Sequence, residues 1–570
     1  MTVTRPERPP APTASPQEEA GVPWWHLAPI AVVLLASSFV VGHEAYVFID
    51  EAALLAQVDL VGDGSWEADR RLLETDPDGA YTPMARSTVT DDGFAPFANH
   101  PLHVLLATAA WELGGHVGIR MLSVAGVLGA VAAAGTLAAS LGRRHAAVAM
   151  WVAGIGSPLV FDANLVVGHA PAAAVTGALF VAVFRWHPTE NRRFALRMLA
   201  VFALVAVGAL LRSEVVLLGV AIGAVAAAQG VLRRRTAEGV VGVAAAAGAV
   251  FAYLLEPWWI DRLIGTSPGE KVIAASSRGG VSGARDGAFT VLVGRGQAGW
   301  AVVLAVALAV AAAALLRIRR CDARSAAVLG GAGVVIAAIH LGDPAIVPGI
   351  VWAFPLLAVG LVAVSRRQPW TGTLLQSALA TIVFAAAVLV TQYSVGGGAE
   401  WGWRYVAVAL PAIAAVLAVP LVDLASVRSV SGRIAVAGIV TVGLLVPLSG
   451  ILAQRRTTDR VEQLLTRTDD ALVRSDADVI VATQSSFGRY VWPRSIAGDV
   501  VSVAGGEDEL ADLLAALKAD GVDRVLLVWS GTEPTVPPDE WRPAGERLRL
   551  LELTFDARAY ALETNTRSPS

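Results

Sequence analysis

Two adjacent carboxylates, Asp50 and Glu51, are the side chains of this sequence that best suit proton transfer. They follow the first apolar stretch, residues 27–48, and precede a long, largely polar segment that ends near His100-Pro101. A membrane enzyme that activates a hydroxyl at the bilayer surface needs a carboxylate at such a place, because a carboxylate can accept the proton as a general base. Acidic residues also end many ordinary membrane spans, where they are simply interfacial charges. The predicted spans and loops around the pair decide between a general base and an interfacial charge.

The composition is that of a membrane-embedded chain. Of the 570 residues, 55% are hydrophobic and only 16% are charged, whereas soluble proteins are about 25% charged. The net charge of −4 does not suggest a broad nucleic-acid-binding surface, so no nucleic acid is expected as a partner. A single cysteine, Cys321, excludes both a disulfide framework and a cysteine metal cluster.

Short loops that contain arginine indicate how the chain crosses the membrane. Such loops mark the cytoplasmic side, and a span needs about 20 apolar residues. The apolar stretch between each pair of arginine loops is long enough for two crossings and is therefore predicted to be a hairpin. This pattern predicts a polytopic α-helical region of about thirteen transmembrane helices over residues 26–454, after a disordered cytoplasmic tail over residues 1–25. The arginine loops are residues 143–145, 185–197, 233–235, 317–324, 366–367 and 428–433.

With this topology, the polar tips of the hairpins all lie on the outer face, together with Asp50 and Glu51. Ionisable groups inside membrane segments are costly and tend to mark function. Two large outer loops, residues 49–116 and 257–299, share that face, and the first contains a short apolar stretch, residues 101–115, that suits an interfacial helix. The segment 198–232 is predicted as two helices. The tips contain Asp162, Asn164, His169, Arg212, Glu214, His340, Asp343, Glu400 and Arg404.

Residues 455–570 have the composition of a small soluble domain, predicted to lie outside the membrane. Residues 478–483 and 523–529 have the apolar, β-branched character of buried strands, and residues 507–519 have helical spacing between them. Residues 548–562 are predicted to add further strands. The domain lacks a glycine-rich phosphate loop, a catalytic triad signature and a metal-ligand cluster, so a role in capping or recognition is predicted.

Several motifs, in their order along the chain, resemble the GT-C superfamily of membrane glycosyltransferases, in the branch of protein O-mannosyltransferases and lipid A aminoarabinose transferase. The acidic pair after the first span is one of them. Asn99-His100-Pro101-Leu102 is similar to the family's entry to its first-loop helix, and Gly118-Ile119-Arg120 to its start of the second span. Residues 396–405 (GGGAEWGWRY) resemble a motif of bacterial relatives. Gly168-His169-Ala170 departs from the family, which often has an aspartate there, and Asp162 lies a few residues earlier.

The resemblance implies an enzyme that moves a sugar from a polyprenyl-phosphate carrier to a hydroxyl acceptor in a protein, a lipid or a cell-wall glycan, at the outer face of the bacterial cytoplasmic membrane. It implies Asp50 as the base and Glu51 as the residue that orients Asp50 or the acceptor. Arg404 is predicted to bind the donor phosphate, because a guanidinium binds phosphate bidentately. No cofactor is assigned with certainty, and a divalent metal is left open. Further substrate-binding candidates are His100, Arg120, Asp162, His169 and Glu400.

Two other functions fit the composition. A transporter or flippase of lipid-linked saccharides would also be polytopic, although such proteins usually contain internal repeats. A non-catalytic scaffold for envelope assembly would keep the fold without the chemistry. At the level of single residues, Arg404 fits equally well an anchor that snorkels to the membrane surface beside Trp401 and Trp403.

Overall fold

The computed structural model describes most of the chain, and the predicted disordered tail lies outside the described residues up to residue 20. Glu400 lies outside them too, as do residues 266–279 of the predicted second loop. The described residues are 21–42, 49–76, 78–84, 87–187, 190–265, 280–296, 299–318, 322–365, 367–391, 401–484, 486–503, 506–536, 540–551 and 555–562.

Helices dominate the described part of the chain, and most of them are strongly apolar. In order they are α1 (Leu27–Val41), α2 (Ile49–Gly62), α3 (Pro101–Ala138), α4 (Arg143–Gly154), α5 (Leu159–Asp162), α6 (His169–Phe184), α7 (Asn191–Leu211), α8 (Glu214–Leu232), α9 (Thr236–Ile264), α10 (Gly280–Val293), α11 (Trp300–Ile318), α12 (Ala323–Gly342), α13 (Ile350–Ala353), α14 (Pro355–Ala363), α15 (Gly372–Thr391), α16 (Leu410–Leu424), α17 (Val430–Ser475), α18 (Phe487–Tyr490), α19 (Trp492–Ile496) and α20 (Glu507–Ala519).

Within the described ranges, ten helical segments are long and apolar enough to cross a membrane, which confirms a polytopic α-helical membrane protein. The shorter helices α4, α6 and α14 occupy stretches in which further crossings were predicted. The total of about thirteen spans and the cytoplasmic side of the N-terminus stay predictions.

Two breaks in the helices match the sequence pattern. In α3, Gly114 and Gly115 leave the helical conformation, and Gly115 has φ +56°. The segment before this break is therefore a separate helix at the place where an interfacial helix was predicted. The chain also leaves the helical conformation at Arg212, between α7 and α8, which confirms two helices over residues 198–232.

Helix α2 lies inside what the sequence had indicated only as an outer loop. Ala52, Leu54 and Leu55 are buried in a core cluster that also contains residues of α11 and α17, so α2 packs on the membrane helices. This packing explains why a helix begins so soon after α1. Asp50 and Glu51 lie in its first turn.

The C-terminal region confirms the predicted α/β domain. Strand β4 (Val479–Ala482) lies between β5 (Val500–Ser502) and β6 (Arg524–Trp529) and is parallel to both, and the sheet order is β5-β4-β6-β9-β7 with β8 on β9. Helix α17 runs past residue 455 to Ser475, so the sheet begins only at Val479. The remaining strands are β1 (Ala68–Asp69), β2 (Thr88–Val89), β3 (Gly93–Ala95), β7 (Trp541–Pro543), β8 (Leu548–Leu551) and β9 (Phe555–Leu562).

The first loop, residues 63–100, follows α2 in the chain and contacts the C-terminal domain. It contains the small sheet β1-β3-β2. The backbone N–H of Ser502 donates to the carbonyl of Tyr81 at 3.2 Å, and the Ser502 hydroxyl donates to the carbonyl of Thr82 at 2.7 Å. Helix α2 also packs against α18 and α19. The first turn of α2 therefore lies where the membrane helices meet the C-terminal domain.

Candidate active site

Both carboxylate oxygens of Asp50 accept hydrogen bonds from guanidinium groups. Arg404 Nη1 lies 3.0 Å from Asp50 Oδ2, and Arg489 Nη1 lies 2.8 Å from Asp50 Oδ1. Arg404 begins a short 3₁₀ segment before α16, whereas Arg489 lies on α18 of the C-terminal domain, 439 residues along the chain from Asp50. One carboxylate thus links two parts of the structure that are far apart in the sequence.

The three side chains differ in how far they reach the surface. The side chain of Asp50 is 27% exposed, that of Arg404 is 11% exposed and that of Arg489 is 4% exposed. A molecule that enters the site therefore has access to the carboxylate, with the guanidinium groups more deeply placed behind it. Both guanidinium groups place positive charge beside this carboxylate.

The motif around Arg404 is held by its backbone. Gly402 has φ +66° and donates to the carbonyl of Val347 at 2.8 Å, and Trp403 donates to the carbonyl of Pro348 at 2.9 Å. A Cβ atom at Gly402 would lie 2.7 Å from Pro158, so glycine suits both the conformation and the space. These contacts hold the backbone of Gly402 and Trp403 in place, directly before Arg404.

The environment of the motif does not fit a lipid-facing anchor. Trp401 and Trp403 are buried, and Trp401 stacks on Phe161 with ring centroids 5.9 Å apart. The Arg404 guanidinium contacts Asp50 and the hydroxyl of Tyr405, the latter at 3.3 Å. The site interpretation of Arg404 is therefore favoured over a snorkelling side chain in an aromatic belt.

Glu51 points into the protein, unlike Asp50. Its residue is 1% exposed, and Oε1 accepts from the backbone N–H of Val166 at 2.8 Å. Arg120, also buried, attracts Glu51 electrostatically. Adjacent residues of a helix point about 100° apart, which explains the different surroundings of the two carboxylates. Glu51 and Arg120 therefore belong to the wall of the site.

The remaining candidates lie on elements other than α2. His100 has φ 55°, and its Nδ1 atom lies 2.9 Å from Glu256 Oε1 on α9. His169, at the start of α6, interacts electrostatically with Glu214, which is paired with Arg212 at 2.5 Å. Asp162 is buried at the end of α5.

Arg489 was missed by the sequence analysis. It lies in the segment Ser486-Phe487-Gly488-Arg489-Tyr490, which carries no motif and no periodicity that would mark a functional residue. Tyr490 beside it is largely buried, which raises the pKa of its phenol and keeps it neutral at ordinary pH. Only the docking of α18 on α2 identifies Arg489.

The residues at Asp50 do not suit a divalent cation. Both oxygens of this carboxylate already accept from guanidinium groups, whose positive charge would repel a metal ion. Among the described residues, no group of three or more histidine, cysteine, aspartate or glutamate side chains is arranged to hold a metal.

No protein-family model and no curated protein matches this chain. Among solved structures, it is similar to ArnT from Cupriavidus metallidurans bound to undecaprenyl phosphate, at 12% identity and a TM-score of 0.46, covering 94% of this chain and 98% of that chain. It is also similar to the Archaeoglobus fulgidus oligosaccharyltransferase in complex with Zn and sulfate, at 13% identity and a TM-score of 0.48, covering 88% and 67%. These values describe a distant likeness in fold, and the roles of residues rest on the site geometry.

Proposed function

We propose that this protein is a membrane glycosyltransferase that moves a sugar from a polyprenyl-phosphate donor to a hydroxyl group of a protein, lipid or cell-wall glycan. The reaction would take place at the outer face of the bacterial cytoplasmic membrane, with the C-terminal domain on the same side. The observation that carries this proposal is the position of Asp50, an accessible carboxylate held by two guanidinium groups.

In the proposed reaction, the acceptor hydroxyl gives its proton to the carboxylate of Asp50. The hydroxyl oxygen forms a bond to the anomeric carbon of the sugar, and the bond between that carbon and the phosphate oxygen breaks. The electron pair of the broken bond stays with the phosphate, so polyprenyl phosphate is the leaving group. Arg404 stabilises the negative charge that develops there, which is how fixed cationic groups lower such barriers.

The two adjacent carboxylates have different roles in this proposal. Asp50 is accessible, and it can exchange a proton with an acceptor. Glu51 is buried, accepts from the backbone of Val166 and faces Arg120, so it positions the wall beside Asp50. We therefore assign the base to Asp50 and a positioning role to Glu51.

The test is incubation of the purified protein with a panel of polyprenyl-phosphate sugars, followed by detection of sugar transfer or release. Asp50→Asn should lower the rate by about 10²-fold or more, because a general base contributes a factor of that size. Asp59→Asn, on the same helix but away from the first turn, is the matched control and should retain activity. Full activity of Asp50→Asn would refute the assignment.

Arg404→Ala provides an independent test of the donor site. It should weaken binding of the lipid-phosphate donor, because it removes a cation that the phosphate requires. Unchanged donor affinity would contradict the proposed role of Arg404. Movement of lipid-linked sugar across vesicle membranes without any transfer would instead favour a flippase.

A further inference from the structure

Arg489 is held in place by close packing of its own segment. A Cβ atom at Gly488 would lie 1.9 Å from the carbonyl oxygen of Pro83 in the first loop, so the two backbones are in direct contact. The hydroxyl of Ser495 donates to the carbonyl of Gly488 at 2.7 Å. Arg489 itself is buried. Its guanidinium is therefore fixed at Asp50 by the fold and does not reach it as a flexible surface side chain.

We propose that Arg489 and Arg404 together form an anion site, built from two domains, that binds the phosphate group of the donor, and that Asp50 competes with this phosphate for the two arginines. This inference rests on the proposed function, since the phosphate is that of the same donor. It gives the C-terminal domain a direct part in binding the donor, where the sequence indicated only capping or recognition.

The chemistry of the three groups supports this site. Guanidinium groups bind phosphate through the same N–H donors with which they bind a carboxylate, so the contacts made to Asp50 are also contacts that a phosphate can make. Two arginines and one aspartate carry a net charge of +1 as a group. Asp50 lies in the first turn of α2, where the helix dipole favours negative charge. All three features favour an added anion.

Competition follows from the positions of the charges. A phosphate that reaches both guanidinium groups must lie close to the Asp50 carboxylate, because each guanidinium already contacts an oxygen of Asp50. Two anions then share two cations and repel each other. As the phosphate takes over part of the guanidinium contacts, the ionised form of Asp50 loses stabilisation and becomes a better proton acceptor. The base is thereby activated when the donor is in place.

A simpler interpretation is that Arg489 and Asp50 form only a docking pair that holds the C-terminal domain. The two interpretations predict opposite effects of removing the charge of Asp50. If Asp50 competes with phosphate, Asp50→Asn should strengthen phosphate binding. If Asp50 only anchors the arginines, the same change should weaken phosphate binding or leave it unaltered.

The experiment measures binding of farnesyl phosphate to the full-length protein in detergent micelles, by microscale thermophoresis. Asp50→Asn should tighten binding about tenfold, and Arg489→Gln should weaken it about tenfold, since a hydrogen bond to a charged group contributes at least that factor. Arg489→Lys should lie between Arg489→Gln and the unaltered protein, because it keeps the charge but loses the fork. Arg494→Gln is the control, because Arg494 is in the same domain and pairs with Asp469 and Asp499.

Weaker or unchanged farnesyl phosphate binding by Asp50→Asn would overturn the inference, as would unchanged binding by a folded Arg489→Gln variant. If Arg489→Gln does not elute as a folded protein in size-exclusion chromatography, the Asp50→Asn measurement still decides. Binding that follows the predicted order without sugar transfer from any donor would refute the proposed function and leave the anion site standing. Sugar transfer by the unaltered protein, without tighter phosphate binding by Asp50→Asn, would refute the anion site and leave the proposed function standing.

Discussion

Gly488 offers a way to move Arg489 without changing any charged residue. A methyl group at this position would lie 1.9 Å from the carbonyl oxygen of Pro83, which is a backbone atom. The methyl group has no rotatable bond that would relieve the clash, and the carbonyl oxygen cannot rotate away like the end of a flexible side chain. Gly488→Ala should therefore push α18 and the first loop apart, and Arg489 moves with α18.

The size of this shift follows from the geometry. Cβ atoms essentially never approach other heavy atoms closer than 3.0 Å, so the two segments must separate by about 1.1 Å. The contact between Arg489 Nη1 and Asp50 Oδ1 is now 2.8 Å long, and a shift of that size along its direction would exceed hydrogen-bonding distance. Misplacement by about 1 Å lowers rates about 10²-fold, and overpacking costs about 1–3 kcal/mol of stability.

The assay compares Gly488→Ala with Gly545→Ala, which makes the same chemical change in the same domain. The nearest atom to a Cβ at Gly545 is 3.9 Å away, an ordinary van der Waals contact. Sugar transfer and farnesyl phosphate binding should both fall in the Gly488 variant and stay unaltered in the Gly545 variant. Both variants should elute as folded protein.

Equal activity of the two alanine variants would refute this reasoning, because it would mean that Arg489 tolerates a displacement of about 1.1 Å from its place beside Asp50. A Gly488→Ala variant that is inactive but binds farnesyl phosphate normally would also contradict it. In that case the displaced α18 would act on a step other than phosphate binding.

Two further predictions concern charge and burial away from the arginine pair. Glu51→Gln should lower the unfolding free energy by about 3–5 kcal/mol, because it removes the negative charge that attracts the buried guanidinium of Arg120. The loss should be seen as a lower melting temperature. An unchanged melting temperature would count against this interaction. Burial and the neighbouring Glu533 raise the pKa of Tyr560 to about 12 from an ordinary value of 10.0, so the stability that its neutral phenol contributes should be complete below pH 10 and be lost as the pH rises to about 12. The difference in absorbance at 295 nm between the protein and Tyr560→Phe should titrate near pH 12, and a midpoint near pH 10 would contradict the burial of this hydroxyl.

The elements that the sequence predicted well are those whose pattern is local. The helix predicted over residues 507–519 is α20, with the same bounds, because its apolar residues Leu510, Leu513, Leu514 and Leu517 repeat at helical spacing and form one buried face. The break at Arg212 was equally visible, since charged residues interrupt an apolar run. Asp50 and Arg404 were both predicted as site residues, and the structure brings the two side chains together.

The parts that could not be predicted depend on contacts between distant segments. Arg489 is one of many arginines, and only the packing of Gly488 on Pro83 places it at Asp50. His100 was predicted as a substrate-binding residue, and no pattern in the sequence indicated its left-handed backbone conformation or its contact with Glu256. Neither a contact between residues far apart in the chain nor the φ angle of one residue produces a periodic pattern in the sequence.

The contacts of α2 limit how the role of the C-terminal domain can be tested. One side of α2 packs on the membrane helices, and another side packs on α18 and α19 of the C-terminal domain. Deleting the domain would remove Arg489 and also the packing that positions the first turn of α2. Loss of activity in a truncated protein would then follow from either cause. Substitutions that leave the domain in place, such as Arg489→Gln, separate a part in binding the donor from a part in packing.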